Sequence, residues 1–222
     1  MTRRTRHAPT TPHQTRRRLS SRGEETRRAL IAACIECLYE RGYAATSIEA
    51  VMAKAGISRG SVLHQFPTRL ALMAATIEAA MHGMIEDTRA RYNVVTDPVE
   101  KLRRMSQLFW ETQQIPEGIA VTEMLLAARW DPDLARVLKT IAETIEVEID
   151  EDVRRIAAEA GVQDIEACVV HARLLILSLR GITLELMFDP DRKMIHRALA
   201  TIHTRHAEHC AKVLGGEAGP SF

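Results

Sequence analysis

Five prolines set the frame of this chain. Pro67, Pro98, Pro116, Pro132 and Pro190 each fall between stretches of helical apolar periodicity, and none falls inside one. Proline lacks the backbone donor and clashes with the preceding helical turn, so the intervals between these positions are the helices. No segment alternates with period two for long, and β-branched residues are scattered among Ala, Glu, Arg and Leu, so strand signals are nearly absent. An all-α chain is expected, with helices near 22–41, 46–55, 59–66, 68–92, 98–114, 118–129, 132–160, 164–188 and 191–214.

Local signals agree with these bounds. Gly42 follows the first stripe (Leu30, Ile31, Cys34, Ile35, Leu38) as a left-handed C-cap, where the missing Cβ removes the strain. Thr46 with Glu49 three residues on reads as a capping box, and Gly56 stops that helix. Ser58 is the expected cap of the next one. Asp131-Pro132-Asp133 and Asp189-Pro190-Asp191 each read as a helix start, with cap, first-turn proline and first-turn acid.

Several function classes drop out. With 222 residues, 46% apolar and 27% charged, the chain has room for one large domain or two small ones with a real core. The run Leu174 to Leu179 is far shorter than the ~18 apolar residues a membrane helix needs, and the N-terminal arginines precede no apolar stretch, so no membrane partner and no secretory signal are expected. Four cysteines, Cys34, Cys37, Cys168 and Cys210, are too sparse for a disulfide framework, which points to a reducing cytoplasm. Aromatics at 4% leave little for base-stacking platforms. No nucleophile–base pair, glycine-rich phosphate loop or HExxH set stands at a diagnostic spacing, so an enzyme is not expected.

The two short helices, joined by Ala55-Gly56-Ile57-Ser58, form a helix-turn-helix whose second member would enter a DNA groove. In that second helix Val62 and Phe66 share the inward face. Arg59, Gly60, Ser61, Leu63, His64 and Gln65 lie around the outer side. Arg59 can read guanine or clamp a phosphate, and Ser61 and Gln65 can bond base edges. Gly60 leaves room for the backbone to approach DNA. Thr46 and Ser47 at the start of the first helix, and Thr68 and Arg69 at the start of the next long one, complete the candidate contacts. Residues 1–21 carry six arginines and no acid. They read as a flexible basic arm whose Arg16, Arg17 and Arg18 meet phosphates or the minor groove.

The run Leu30 to Leu72 resembles the DNA-binding region of the TetR family of bacterial transcriptional regulators. The matching residues are Ala33, Leu38, Gly42-Tyr43, Thr46-Ser47-Ile48, Ala55-Gly56-Ile57-Ser58, Arg59-Gly60-Ser61, His64, Phe66, Pro67 and Leu72, without a gap. The departures are Leu63 for a phosphate-contacting Tyr, Met52 for a small residue, Arg69 for Lys and Leu70 for an acid. The resemblance implies a homodimer that binds a near-palindromic operator, usually represses, and is released by a small molecule. It implies the division 1–21 arm, 22–70 DNA-binding domain, 71–214 ligand-binding and dimerisation domain, and 215–222 flexible tail. The competing reading is a helical small-molecule or metal-binding protein whose head has lost DNA specificity, with Leu63 as its support.

Within the larger domain, Met81, Met84, Met105, Phe109, Trp110, Met124 and Trp130 are the expected apolar lining of an effector pocket. His171 and Arg173 are polar groups in an apolar helix, suited to orienting the effector. Helix 164–188 is apolar on more than one side and so needs two partners. Leu175, Leu179, Gly181, Ile182 and Leu186, with Ile195, Leu199, Ile202 and His206 of the last helix, are the expected faces of a four-helix dimer interface. Gly83, in the middle of helix 68–92, reads either as a bend or as a close helix crossing. Cys34-x-x-Cys37 reads as core rather than a redox or zinc motif. His203, His206, His209 and Cys210 have chelating helical spacings, although imidazoles near a helix C-terminus are favoured by the dipole alone; no metal or cofactor is expected.

Charge divides along the same line. Residues 1–70 hold thirteen basic and five acidic side chains, a sum of +8, leaving −7 for residues 71–222. The near-neutral total of +1 therefore averages a basic head with an acidic body, which orients the molecule head-first towards DNA at low salt.

Overall fold

The computed structural model describes residues 21–215; the arm with Arg16, Arg17 and Arg18 and the tail lie outside them. The described residues form nine helices: α1 Ser21–Ala45, α2 Ile48–Ala55, α3 Arg59–Gln65, α4 Arg69–Asn93, α5 Pro98–Gln114, α6 Pro116–Ala128, α7 Pro132–Glu159, α8 Ile165–Phe188 and α9 Lys193–Leu214. Pro98, Pro116 and Pro132 are the first residues of α5, α6 and α7, where their missing N–H has no helical partner to lose. Asp97 and Asp131 supply the caps, accepting from Val99 N at 3.0 Å and Leu134 N at 3.0 Å.

Several helix ends differ from expectation. Asp189-Pro190-Asp191 does not start a helix: Asp189 ends α8, and α9 begins at Lys193 behind Arg192, which makes no side-chain cap bond. Ser47, not Thr46, caps α2, its Oγ accepting from Ala50 N at 3.1 Å. Thr46 is buried and its hydroxyl donates to the Gly42 carbonyl at 2.8 Å. Ser58 holds the cap position of α3 without a cap bond and instead bonds Ser61, Oγ to Oγ, at 3.1 Å. Gly42 does not end α1 in the left-handed helical region. Its φ of 73° and ψ of 174° belong to a region open essentially to glycine alone.

The helices bury two apolar clusters. One joins α1, α2 and α3 to α4, α6 and α7, through Leu30, Leu38, Val62, Phe66, Leu72 and Met124, among others. The second joins α5, α7, α8 and α9, through Leu102, Met105, Val153, Leu175 and Leu179. The first cluster is continuous across residue 70, so the head is seated on the body by core contact rather than by a linker. Cys34 and Cys37 are fully buried within it, and burial pushes the Cys34 thiol up to about 11, which makes a core residue of it rather than a nucleophile.

Helix α8 is long and apolar enough to cross a membrane on length and composition alone. The uninterrupted-run criterion passes over it because Ser178, Arg173 and Arg180 break the run. In the fold α5, α7 and α9 pack against α8. Gly83 lies within helix α4, and a Cβ placed there would meet only the Glu117 side chain of α6, at an ordinary contact distance of 3.4 Å.

Candidate functional site

Helix α3 stands out from the head with Arg59, Gly60, Ser61, Leu63 and His64 exposed, while Val62 and Phe66 are buried beneath it. The division of labour expected from the spacing is therefore the one the packing produces. Arg59 Nη1 lies 3.6 Å from Glu49 Oε1, both side chains well exposed. A surface pair of this kind is worth at most about 1 kcal/mol, so the guanidinium remains free to turn towards a phosphate or a base. Ser47 and Thr68 are exposed on the same part of the head, each accepting a backbone N–H as a helix cap.

Three expected DNA contacts are engaged inside the protein instead. Thr46 is buried. Gln65 Nε2 donates to the Gly23 carbonyl at 3.1 Å. Arg69 donates to the carbonyls of Tyr43 at 2.8 Å and Thr46 at 3.1 Å, with its guanidinium carbon 4.1 Å from the Tyr43 ring centroid. Its planar fork thus holds the α1–α2 corner to the start of α4, a geometry the ammonium of lysine does not reproduce.

That corner is also where head meets body, and no sequence pattern marks it beyond the Gly42-Tyr43 pair. Tyr43 N–H donates to Glu123 Oε2 of α6 at 3.1 Å. Tyr43 O–H donates to Asp131 Oδ2 at 3.0 Å, the same carboxylate whose other oxygen caps α7. The Leu134 backbone N–H, with Tyr43 contributing, holds the Asp131 carboxyl below its ordinary range.

The body contains a cavity of about 200 Å³ between α4, α5, α6, α7 and α8, partly open to solvent beside the exposed Leu177. Met81, Met84, Met105, Phe109 and Arg173 line it, as expected. The other expected lining residues lie elsewhere. Met124 is fully buried in the first core. Trp110 packs against the second core outside the cavity. Trp130 is 78% exposed, with the Arg129 guanidinium carbon 4.8 Å from its ring. His171 faces α9. Sequence reasoning passed over Tyr92, Gln113 and Arg180, all in the cavity wall. Arg180 was within reach, since it lies seven residues after Arg173 and so on the same face of α8.

The expected dimer residues need correction. Leu175, Leu179 and Ile182 are buried in the protein's own core, and His206 is 1% exposed. Leu186, Ile195, Leu199 and Ile202 are half-buried, and of the nine only Gly181 is exposed. The solvent-facing stripe of α8 is its opposite side: Val170, Leu174, Leu177, Gly181, Leu184 and Phe188 are all exposed. Their spacing of alternating fours and threes is a seam of the kind used between paired helices.

His203 and His206 of α9 use ring nitrogens on neighbours, whereas His209 Nε2 is buried without a hydrogen-bond partner. His206 Nε2 lies 2.9 Å from the Leu102 carbonyl, which only accepts, so Nε2 carries the proton. Its Nδ1 then accepts from His171 Nε2 at 3.0 Å. The His171 ring also stacks on His209, centroids 3.8 Å apart. His203 Nδ1 bonds Ser106 Oγ at 3.0 Å, and Cys210 Sγ lies 3.5 Å from His206 Nε2. Among the described residues no group of three or more His, Cys, Asp or Glu is arranged to hold a metal ion.

Burial, with adjacent imidazoles adding to it, pushes His171 from 6.5 down to about 3; burial also lowers His206 and His209. A depressed histidine favours the native state fully above its unfolded value and loses that contribution as pH falls through the window below 6.5. The unfolding free energy is therefore expected to drop as pH is lowered from 7 towards 4. His209→Phe, which keeps a stacking ring, should reduce the slope by up to about 1.4 kcal/mol per pH unit. Denaturant titrations at a series of pH values check this, and equal slopes for the two proteins would refute it.

Comparison with known proteins places this geometry. Residues 30–76 match the family of bacterial regulatory proteins designated tetR, a segment that runs from α1 through α3 into α4. The HTH-type transcriptional regulator CymR of Pseudomonas putida is 28% identical over 182 residues, covering 82% of this chain and 89% of that protein. A TetR-family transcriptional regulator from Pectobacterium atrosepticum has a similar fold, with a TM-score of 0.63 at 24% identity over 92% of this chain and all of that one. So has a transcriptional regulator from Rhodococcus sp. Rha1, with a TM-score of 0.63 at 21% identity over 87% and 99% of the two chains.

Proposed function

This chain belongs to the TetR family of bacterial transcriptional regulators, and we propose that it works as a homodimeric repressor that binds a near-palindromic operator and is released by a small molecule. The observation that carries this reading is the course of α4. The helix starts at the head and buries Leu72 and Met73 in the core it shares with α1, α2 and α3. It then gives Met81, Ile85 and Tyr92 to the cavity wall. A ligand that fits the cavity in only one placement of α4 biases two placements of the head, which is the coupling between sites that release requires. The bonds of Tyr43 to Glu123 and Asp131 make the head follow α6 and α7 as well.

A second copy is the proposed cover for the exposed stripe of α8. Val170 and Leu174 are 60% and 57% exposed and Phe188 83% exposed, in a continuous row that a monomer would leave in water. Pairing through a two-fold axis sets the same row against itself and presents two α3 helices to successive major grooves. The protein acts by binding rather than catalysis, in the cytoplasm, with the arginine arm contributing phosphate contacts that are blind to sequence.

Fluorescence anisotropy on the full-length protein, with its operator duplex and a scrambled duplex at rising salt, tests the reading. The affinity should fall steeply with salt while a preference for the operator persists. Arg59→Ala and His64→Ala should each reduce that preference, and deletion of residues 1–18 should weaken both duplexes alike. Equal affinity of the wild-type protein for every duplex would overturn the reading.

A further inference from the structure

We propose that the cavity of the body is built for a small organic anion, a single ring or compact branched hydrocarbon bearing one carboxylate. The proposal rests on the effector reading above and gives that effector its chemistry. Three observations converge on it. First, of the four buried side-chain polar atoms without a hydrogen-bond partner among the described residues, Tyr92 Oη, Gln113 Oε1 and Arg180 Nε belong to residues that line this one cavity, and the fourth, His209 Nε2, does not. Tyr92 is 92% and Gln113 97% buried. A buried polar group left unpaired weakens the empty protein and is satisfied when a ligand supplies the partner; the Tyr92 O–H and the Arg180 N–H are donors that call for an acceptor, whereas Gln113 Oε1 only accepts and is not served by a carboxylate.

Second, the charges of the wall are unevenly compensated. Arg173 is bonded to Asp150 at 2.6 Å and lies 3.4 Å from Glu146. Arg89 and Arg155 share Asp152, each at 2.7 Å. The two wall carboxylates, Glu146 and Asp152, are thereby already engaged. Arg180 and Lys101 line the same cavity and enter no ion pair among the described residues. The charge that the cavity lacks is negative, and a guanidinium fork is the side chain best shaped for a carboxylate.

Third, the remaining wall is apolar and the space is small. Phe109, Val121, Ile145, Val153 and Ile176 surround it. An apolar cavity of about 150 Å³ holds benzene, so about 200 Å³ accommodates one ring with a short polar substituent. A phosphate or sulfate alone would leave the apolar wall uncovered.

The test is calorimetric titration of the full-length protein with benzoate, phenylacetate and 3-phenylpropanoate, each against its own neutral amide. At least one carboxylate should bind about tenfold or more tightly than its amide, the usual advantage of a charged over a neutral hydrogen bond. Arg180→Met, which removes the charge and keeps the stem length, should erase that preference while leaving the amide affinity in place. Tyr92→Phe should reduce carboxylate binding without erasing the preference. Amides that bind as well as the acids, no acid binding at millimolar concentration, or an unchanged preference in Arg180→Met would each overturn the proposal; the wild-type series decides it if the variant does not fold. Operator release is read separately. Selective carboxylate binding that leaves the operator complex intact would refute the release mechanism and not the chemistry of the cavity.

Discussion

Gly60→Glu is expected to abolish operator binding while leaving the protein at least as stable as before. A Cβ at position 60 meets no atom within 4 Å, the residue is exposed, and it sits in the first turn of α3. Replacing glycine in a helix contributes roughly 0.5–1 kcal/mol, and an acid in the first turn is favoured by the helix dipole. The fold has no reason to object. The DNA does, because the same site would bring a carboxylate against the phosphate backbone, and like-charge juxtaposition across an interface costs several kcal/mol, a loss on the order of a hundredfold or more in affinity. Thermal melts and anisotropy on one preparation measure both halves. Undiminished operator binding would mean that α3 does not approach DNA through this face.

Gly42→Ala is expected to do the reverse and strike at the fold. Alanine at φ 73° and ψ 174° carries a strain of about 1–3 kcal/mol. Its Cβ would also lie 2.9 Å from Glu123 Oε2, the oxygen that accepts from Tyr43 N–H. Displacing that carboxylate leaves a part-buried backbone donor unpaired, at a further cost of about 1 kcal/mol. Together these come to about 2–4 kcal/mol, or roughly 5–15 °C in melting temperature for a chain of this size. Differential scanning calorimetry checks it. A melting temperature within about 2 °C of the wild-type protein would show that the corner relaxes and that Gly42 is not required there.

The contrast between the two glycines shows how the sequence could and could not be read. Both looked like sites where a missing Cβ matters. At position 60 the reason lies outside the protein, in the partner that α3 would approach. At position 42 it is partly the local backbone, at φ 73°, and partly a carboxylate 81 residues away in α6, and no local pattern announces Glu123. Helix α8 makes the same point at larger scale. Its pattern marks two apolar faces, Leu175/Leu179/Ile182 and Val170/Leu174/Leu177/Leu184, because periodicity reports which residues share a side. It does not report what each side meets. Spacing alone puts the dimer seam on the first face, and the packing of α5, α7 and α9 makes that face core, leaving the second outward. Arg173 and Arg180, seven apart on one face, are distinguished only by whether a carboxylate from α7 reaches them.

The sequence by itself determined the helices, their ends within a few residues, the inward face of α3 and the opposed charges of head and body. These are set by proline, glycine, caps and apolar spacing, interactions between residues no more than four or so apart, and each acts wherever the rest of the chain goes. Only the tertiary structure decided which α8 face is buried, that Arg69 bonds the Tyr43 and Thr46 carbonyls, and that three unpaired polar groups from α4, α5 and α8 share one cavity. Those outcomes depend on side chains 21 to 88 residues apart in the chain arriving at the same few ångströms, and that meeting is a property of the whole packing rather than of any stretch of sequence.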